Sequence, residues 1–470
     1  MRVCLILEGS YPYVFGGVSS WVHQYMKAMP DIEFVLWCIG AKAEDKGKFK
    51  FEIPENVKEI HEVFLDDALK IRTKKSNKIR LTKEEQEELK NLLECDKIDW
   101  KVLFRLFHTK KANPVSLLMS SVFLDILIKV CMEKYPFVAF SDMFHTVRSM
   151  MLPELYLMTG QVPQADLYHA TATGYSGILG SMGKWKYKKP FILTEHGIYT
   201  REREEEILRA KWVIPSFKQQ WINLFYTFSD CAYEHADIVT SLFERASMIQ
   251  KELGANASKL RVLPNGVHFD RFKDIPLREI DGTVNIGAVV RIAKIKDIKT
   301  MIYAFGELQA SFPNAILHIM GDVDDAEYNE ECHQLIRQLG ITNIIFTGVV
   351  NVISYMEQID FTILTSISEG QPLSILESFA AKRTCVATDV GCCRELIEGT
   401  RDDVFGDAGI CVPPMNKEAL AHAMLRLCLN PELRISMGIA GQKRVSAYYT
   451  HAISMKRYQN LYHEVMSWQE

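Results

Sequence analysis

The chain has 470 residues, 48% of them apolar and 24% charged, with 55 Lys and Arg against 59 Asp and Glu and a net charge of −4. That length predicts two or three domains of ordinary globular composition, and the charge balance gives no basic footprint for nucleic acid. Eleven cysteines stand singly apart from Cys392–Cys393 and form no CxxC pair, which predicts a reducing compartment and no structural zinc.

The first apolar run, Val3 to Leu7, ends at Glu8; it is too short for a signal-peptide core and reads as a strand. The loop EGSYPYVFGG follows, then VSSWVHQYMKAM, in which Val18, Trp21, Val22, Tyr25, Met26 and Met29 recur at helical spacing. Gly16 and Gly17 open that helix and permit close backbone approach to a ligand, with Ser19 or Ser20 as its expected cap; a plain tight turn is the alternative. FVLWCIG reads as a second strand, and the stretch from about Glu62 to Met158 as a helix-rich insertion with LTKEEQEELKNLLE as its clearest solvated helix. Its most apolar segment, SLLMSSVFLDILIKVCM, carries Asp125 and Lys129. A membrane span needs roughly 18 nearly uncharged residues, so a buried helix is expected.

DLYHATAT, PFILTEHG, ADIVTS and LRVLPNG read as further parallel strands. His196 directly follows one of them and precedes Gly197, while His145 and His169 are expected in other loops or strand ends. Isolated histidines are more often structural than ligating. FDRFKDIPLREIDG has the charges and proline of a linker.

A second strand-turn-helix opening follows: TVNIGAVV, RIAKIKD and IKTMIYAFGEL. Strand-like AILHIMG, NIIFTGVV, DFTILTS, TCVATDVG and AGICVPP then alternate with helical segments, which predicts one doubly wound parallel domain from Thr283 to Tyr448. A final amphipathic helix, THAISMKRYQNLYHEVMSW, closes the chain.

In open parallel sheets ligands bind beyond the carboxyl ends of the strands, so the residues just after strands carry the functional argument. Arg291, Lys294, Lys296 and Lys299 crowd the loop after NIGAVV, with Asp297 as the expected N-cap of the next helix. Cations at the positive end of a helix are unfavourable unless an anion joins them; the residues read as a phosphate site or as a solvated charge cluster. After DFTILTS, Glu369 falls in a turn and Pro372 is expected at the first helical position. Leu373, Leu376, Phe379 and Ala380 form a stripe that leaves Glu377 off its centre. Asp322-Val-Asp324 reads as a solvated turn rather than a metal site. GYSGI lacks the last glycine of a nucleophile elbow, and neither G-x-G-x-x-G nor a P-loop string follows an opening strand.

Together, Arg-x4-Lys after the first strand of the second domain and Glu-x7-Glu after a later strand resemble the retaining glycosyltransferases of family 4. EGSYPYVFGGVSSWVHQ, TEHGIYTRERE, IKDIKT and SEGQPLSILE resemble more narrowly the cytosolic transferases of Pel exopolysaccharide synthesis. The resemblance implies an α/β GT-B fold, two Rossmann-like domains facing across a cleft. It implies residues 1–275 as the acceptor-side domain with a helical insertion at about 62–158, and residues 276–448 as the nucleotide-sugar domain, the helix of about 449–470 packing back on the first. PNGV, Pro264 to Val267, resembles the family's domain-junction motif, although His268 replaces the Asp that often follows it. Lys294 stands where the Pel proteins have Pro, and GDVDDAEY lacks the family's glycine-proline turn.

By the same resemblance Arg291 and Lys296 hold a nucleoside diphosphate, Glu377 accepts the ribose hydroxyls, and Glu369 meets the donor sugar. Backbone amides of Gly370, Gln371, Leu373 and Ser374 assist, Gly16 and Gly17 close on donor and acceptor from the other domain, and His196 lines the reaction centre. The implied donor is a UDP-sugar carrying N-acetylgalactosamine, glucose or N-acetylglucosamine, with no metal and no further cofactor. The implied acceptor is a growing polysaccharide, the implied partners are membrane-embedded Pel synthase components, and the implied location is the cytoplasm with recruitment to the inner membrane face. A non-catalytic sugar-nucleotide-binding subunit and an epimerase on the same donor remain alternatives.

Overall fold

The computed structural model describes residues 1–72, 79–401 and 403–468, which form two compact units. Unit 1 comprises Met1–Ser241, Ala246–Val262 and the chain from Gln459 onward; unit 2 comprises Leu242–Arg245 and Leu263–Tyr458. Among the described residues, no helix is long and apolar enough to cross a membrane.

Unit 1 is built on seven parallel strands: β1 (Arg2–Glu8), β2 (Glu33–Gly40), β3 (Val57–Phe64), β4 (Leu167–Ala170), β5 (Phe191–Glu195), β6 (Ile238–Ser241) and β7 (Leu260–Val262). Their order is β3-β2-β1-β4-β5-β6-β7. Helices cover both faces, so the central strands are apolar without alternation: Val3 to Leu7 of β1 are fully buried. Edge strand β3, VKEIHEVF, is largely polar and partly exposed, and for that reason the apolar pattern does not reveal it.

The expected insertion lies between β3 and β4. It includes helices Lys83–Glu94, Ser121–Lys134 and Phe140–Thr159. Thr82 and Glu85 start the first with a reciprocal capping box. The apolar segment over 116–132 is amphipathic rather than wholly buried: Phe123, Leu127 and Val130 are covered, while Met132 is 71% exposed. His145 lies within helix Phe140–Thr159, not in a loop.

Unit 2 holds six parallel strands: β8 (Val284–Val289), β9 (Ala315–Met320), β10 (Ile344–Gly348), β11 (Phe361–Leu364), β12 (Cys385–Thr388) and β13 (Gly409–Val412). Their order, β10-β9-β8-β11-β12-β13, reverses between β8 and β11. In unit 1 the same reversal falls between β1 and β4. Each reversal opens a crevice at the carboxyl ends of the two strands, where doubly wound sheets bind ligands.

Buried polar anchors fix both units. His169 of β4 hydrogen-bonds the Tyr462 hydroxyl at 2.7 Å and the Thr194 hydroxyl at 2.8 Å, which assigns it a core role and ties the C-terminal helix to the sheet. In unit 2 the wholly buried Arg383 donates to the carbonyls of Ile359, Ala381, Pro276 and Met356. The segment 263–275, assigned from sequence to the first domain, belongs to unit 2: Val267 bridges Thr450, and the Asn265 backbone pairs with the Gln371 side chain.

Candidate active site

The reversal point of unit 2 gathers the basic loop after β8 and the acidic turn after β11. Two hydrogen bonds staple them: the Thr365 hydroxyl donates to the Lys296 carbonyl at 2.8 Å, and Ile367 N donates to the Ile295 carbonyl at 2.9 Å. Within this staple Lys296 Nζ meets Glu369 Oε1 at 2.5 Å, and both side chains are mostly buried, 18% and 12% exposed. The Ser366 hydroxyl donates to the same oxygen. Asp297, at φ 47°, caps helix Ile298–Ser311 through Thr300 N, as its sequence position predicts.

Arg291 projects from the same strand end and is paired with Asp324, while Lys294 reaches Asp325 at 3.5 Å. Asp325 also caps helix Ala326–Leu339 by accepting from Tyr328 N. The DVDD loop therefore neutralises the basic loop, and Arg291 remains 63% exposed, free to exchange its partner for an incoming anion.

Helix Leu373–Ala380 leaves the acidic turn with Pro372 at its N-cap, one position earlier than the sequence suggests, because Pro372 keeps an extended ψ of 110°. No side chain caps this start, and while Ile375 N bonds back to the Pro372 carbonyl, the N–H groups of Leu373 and Ser374 precede the first intrahelical bond. The buried stripe is Ile375, Leu376, Phe379 and Ala380; Leu373 is 40% exposed. Glu377 is half-buried, and its carboxylate makes no hydrogen bond or ion pair among the described residues. Burial pushes its carboxyl up to about 7, with Arg271 pulling the other way.

The turn itself is clamped from both sides. Gly391, at φ 55°, lies so close that a Cβ would fall 2.3 Å from the Glu369 carbonyl oxygen. The Gln371 side chain does not face a ligand: its Oε1 accepts from Asn265 N at 2.7 Å and its Nε2 donates to Asn265 O at 3.2 Å. It thereby fixes PNGV to the acidic turn like one rung of a strand ladder. Gln371→Ala is expected to lower unit 2 stability by about 1–3 kcal/mol by stranding a buried N–H, read as a fall in denaturation midpoint. An unchanged midpoint would remove this lock.

Within unit 1, helix Gly17–Lys27 begins with Gly16 as N-cap and no side-chain cap; Ser19 is buried inside it and Ser20 does not serve either. Gly16 has ordinary extended torsions, and a Cβ on Gly16 or Gly17 would meet nothing within 4 Å. The fold itself does not need these glycines, and the space above them is open. His196 follows β5 with its ring 4.5 Å from that of Trp21, edge-on. Its Nε2 is buried without a hydrogen-bond partner among the described residues, and burial lowers its pKa to about 4. A neutral imidazole at a strand end is therefore ready to share one hydrogen bond. Sequence reasoning missed Ser366, Thr365 and Gly391, because their roles depend on contacts between loops far apart in the chain.

Two parallel doubly wound sheets, the second with its basic loop and an uncapped helix start at the reversal point, make up a GT-B fold. Residues 283–430 match the model described as glycosyl transferases group 1, and the chain is a glycosyltransferase of that type. Residues 1–258, more than half the chain, match the model described as domain of unknown function (DUF3492), and the chain belongs to that family.

Among curated proteins, it is 25% identical over 357 residues to an alpha-monoglucosyldiacylglycerol synthase of Streptococcus pneumoniae, covering 69% of this chain and 74% of that one. It is 23% identical over 305 residues to the capsular polysaccharide biosynthesis glycosyltransferase CapM of Staphylococcus aureus, covering 62% and 75%. Among solved structures, Alr3699/HepE of Anabaena in complex with UDP superposes with a TM-score of 0.62 at 13% identity over 99% of this chain and 100% of that one. Sucrose-phosphate synthase of Thermosynechococcus elongatus gives 0.61 at 16% identity over 99% of both.

Proposed function

We propose that this protein is a retaining, metal-independent glycosyltransferase that moves a sugar from a UDP-sugar to a growing exopolysaccharide of Pel type. The observation that carries the reading is the grouping in unit 2 of Lys296, Glu369 and the uncapped helix start, with the unpaired Glu377 one turn along the same helix. A nucleoside diphosphate departs with growing negative charge, and preorganised cations and backbone N–H groups aimed at it stabilise the transition state. Arg291 and Lys296 would take the phosphates, Glu377 the ribose hydroxyls and Glu369 the donor sugar, with amides of Gly370 to Ser374 beneath the diphosphate. In transfer the bond from the anomeric carbon to the phosphate oxygen breaks, an acceptor hydroxyl oxygen bonds that carbon, and the hydroxyl proton leaves with UDP. By family resemblance Gly16 and Gly17 are assigned to a loop that closes on donor and acceptor, and His196 to the lining of the reaction centre.

The donor is proposed as UDP-N-acetylgalactosamine, UDP-glucose or UDP-N-acetylglucosamine. Support comes from the group 1 match and from the structures of Alr3699/HepE in complex with UDP and with UDP-glucose. Work at the inner membrane face beside Pel synthase components is proposed from the sequence strings alone. Incubation with each UDP-sugar, a Pel-type oligosaccharide and excess chelator tests the reading: chain extension with release of UDP is expected. A new sugar nucleotide instead of UDP would point to epimerisation.

Glu377 gives this site a pH signature. Its ionised form is the better acceptor for two ribose hydroxyls, and with a free-state value of about 7 part of the binding energy is spent on deprotonation below that pH. Uridine affinity is therefore expected to rise as pH increases from 6 to 7 and to level off above about 8. Titration with uridine itself, which carries no phosphate, isolates the effect, and Glu377→Gln is expected to flatten it. A slope unaltered in that variant would assign it elsewhere.

A further inference from the structure

The two parallel sheets end in four edge strands, β3 and β7 in unit 1 and β10 and β13 in unit 2. An open edge offers unpaired N–H and C=O groups to any strand that meets it, and proteins guard it with charge, short strands or cover. Three of these edges are guarded. β3 carries Lys58, Glu59, His61 and Glu62, with Glu59 paired to Arg2 and His61. β7 has three residues, the middle one Arg261, which reaches Glu464 at 3.9 Å. β13 has four residues and packs against helices Cys393–Glu398, Lys417–Leu429 and Pro431–Tyr448.

β10 is not guarded. No charged residue occurs between Arg337 and Glu357, so the strand, its turns and the short helix after it are neutral. Arg337 itself is held by Glu330 at 2.7 Å. Ile345, in the strand, is 44% exposed, and Leu339 before it and Val349 after it are exposed too. Among the described residues β10 pairs with β9 alone. The Asn343 carbonyl accepts from Leu317 N at 2.9 Å, so Ile345, two residues on, also bonds toward β9. Ile344 and Phe346 therefore turn their N–H and C=O groups outward. After a register shift the Gly348 carbonyl accepts from Gly321 N at 3.0 Å and closes the ladder.

We propose that this edge is an interface between two copies of the chain, their β10 strands pairing antiparallel about a two-fold axis at Ile345. A two-fold contact uses the same patch on both copies, and a neutral strand meets itself with no like charges opposed. Ile345 then faces its own copy in a non-hydrogen-bonded pair, with Cα atoms about 4.5 Å apart. Ile344 of each copy exchanges two backbone bonds with the partner's Phe346, which satisfies every outward group of the strand. A charged foreign strand would set its charges against apolar side chains with nothing to pair them. Pairing stops at two copies because the other edges are guarded. Since the strands run antiparallel, the carboxyl-end crevices of the two unit 2 sheets open in opposite directions.

Sedimentation equilibrium of the full chain across the micromolar range tests this directly. The mass is expected to rise with concentration from that of one chain to that of two. Ile345→Lys and Ile345→Glu, both at an exposed position, are each expected to weaken association at least about tenfold by opposing like charges. Mixing the two variants is expected to restore the two-chain species, a recovery that misfolded variants would not show. The mass of one chain at every concentration, association unaltered in both variants, or no recovery in the mixture would overturn the proposal. Growth beyond two chains would overturn it as well, because this contact closes on itself.

Discussion

Lys296→Ala is expected to lower kcat by about 10²–10³-fold, the usual loss when one preorganised donor to a developing anion is removed. The free protein holds this ammonium on Glu369, which the Ser366 hydroxyl also approaches, so Lys296 is positioned before any ligand arrives. Its own backbone is fixed by the Thr365 hydroxyl and lies beside an Asp297-capped helix, so truncation leaves the loop in place. The loss should fall on kcat far more than on affinity for the sugar nucleotide, because the phosphate charge that Lys296 meets grows as the glycosyl bond breaks. Lys296→Arg should recover part of the rate only if the longer planar group still reaches both Glu369 and phosphate. Single-turnover measurement of UDP release separates chemistry from binding, and near-normal release in Lys296→Ala would remove this residue from the mechanism.

The largest effect on stability is expected at Arg444. Its guanidinium and the Asp403 carboxylate are 1% and 2% exposed, and the same guanidinium donates to the carbonyls of Leu396, Ile397 and Gly406. Removing one partner of such a pair leaves an uncompensated buried charge and several stranded acceptors, a cost of about 3–5 kcal/mol. Arg444→Met should therefore bring the unfolding of unit 2 forward in denaturant, while Arg444→Met with Asp403→Leu should recover much of the loss. Burial alone would raise the Asp403 carboxyl, but bonds from Arg444 and from Phe405 N hold it below its ordinary value. A depressed acid contributes stability above its unfolded value and loses it as pH falls, so the wild-type and variant denaturation midpoints should converge below about pH 4. Midpoints that stay apart in acid would mean that packing, not charge, makes Arg444 important.

Much of this architecture could be read from the chain because parallel strands buried on both faces leave continuous apolar runs. VCLIL, NIGAVV, DFTILTS and TCVATDVG stand out for that reason, and their alternation with amphipathic helices implies a doubly wound sheet. Strand β3 did not stand out, since an edge strand can be polar on its open side. Helix starts were legible to within a residue at Pro372 and less so at Gly16, where the backbone begins a helix without any side-chain cap. The spacing of Glu369 and Glu377 is local and shows in the sequence. The engagement of Glu369 by Lys296 and Ser366 and the Gln371 lock on Asn265 do not show, because each depends on which loops the strand order brings together. Segment 263–275 clusters with unit 2, where Val267 bridges Thr450 and Asn265 pairs with Gln371, contacts between distant parts of the chain that no local pattern shows.

The central claim, that the carboxyl ends of the unit 2 strands hold a uridine sugar nucleotide without metal, is tested most directly by calorimetric titration with UDP and the three UDP-sugars in the presence of chelator. A ligand that binds only the folded chain must also raise its melting temperature with concentration, which gives an internal check. Binding of UDP and of one UDP-sugar without added metal, weakened at least about tenfold in both Arg291→Ala and Glu377→Ala, is the predicted result. No heat and no stabilisation with any uridine nucleotide, or binding that needs a divalent cation and ignores both substitutions, would contradict it.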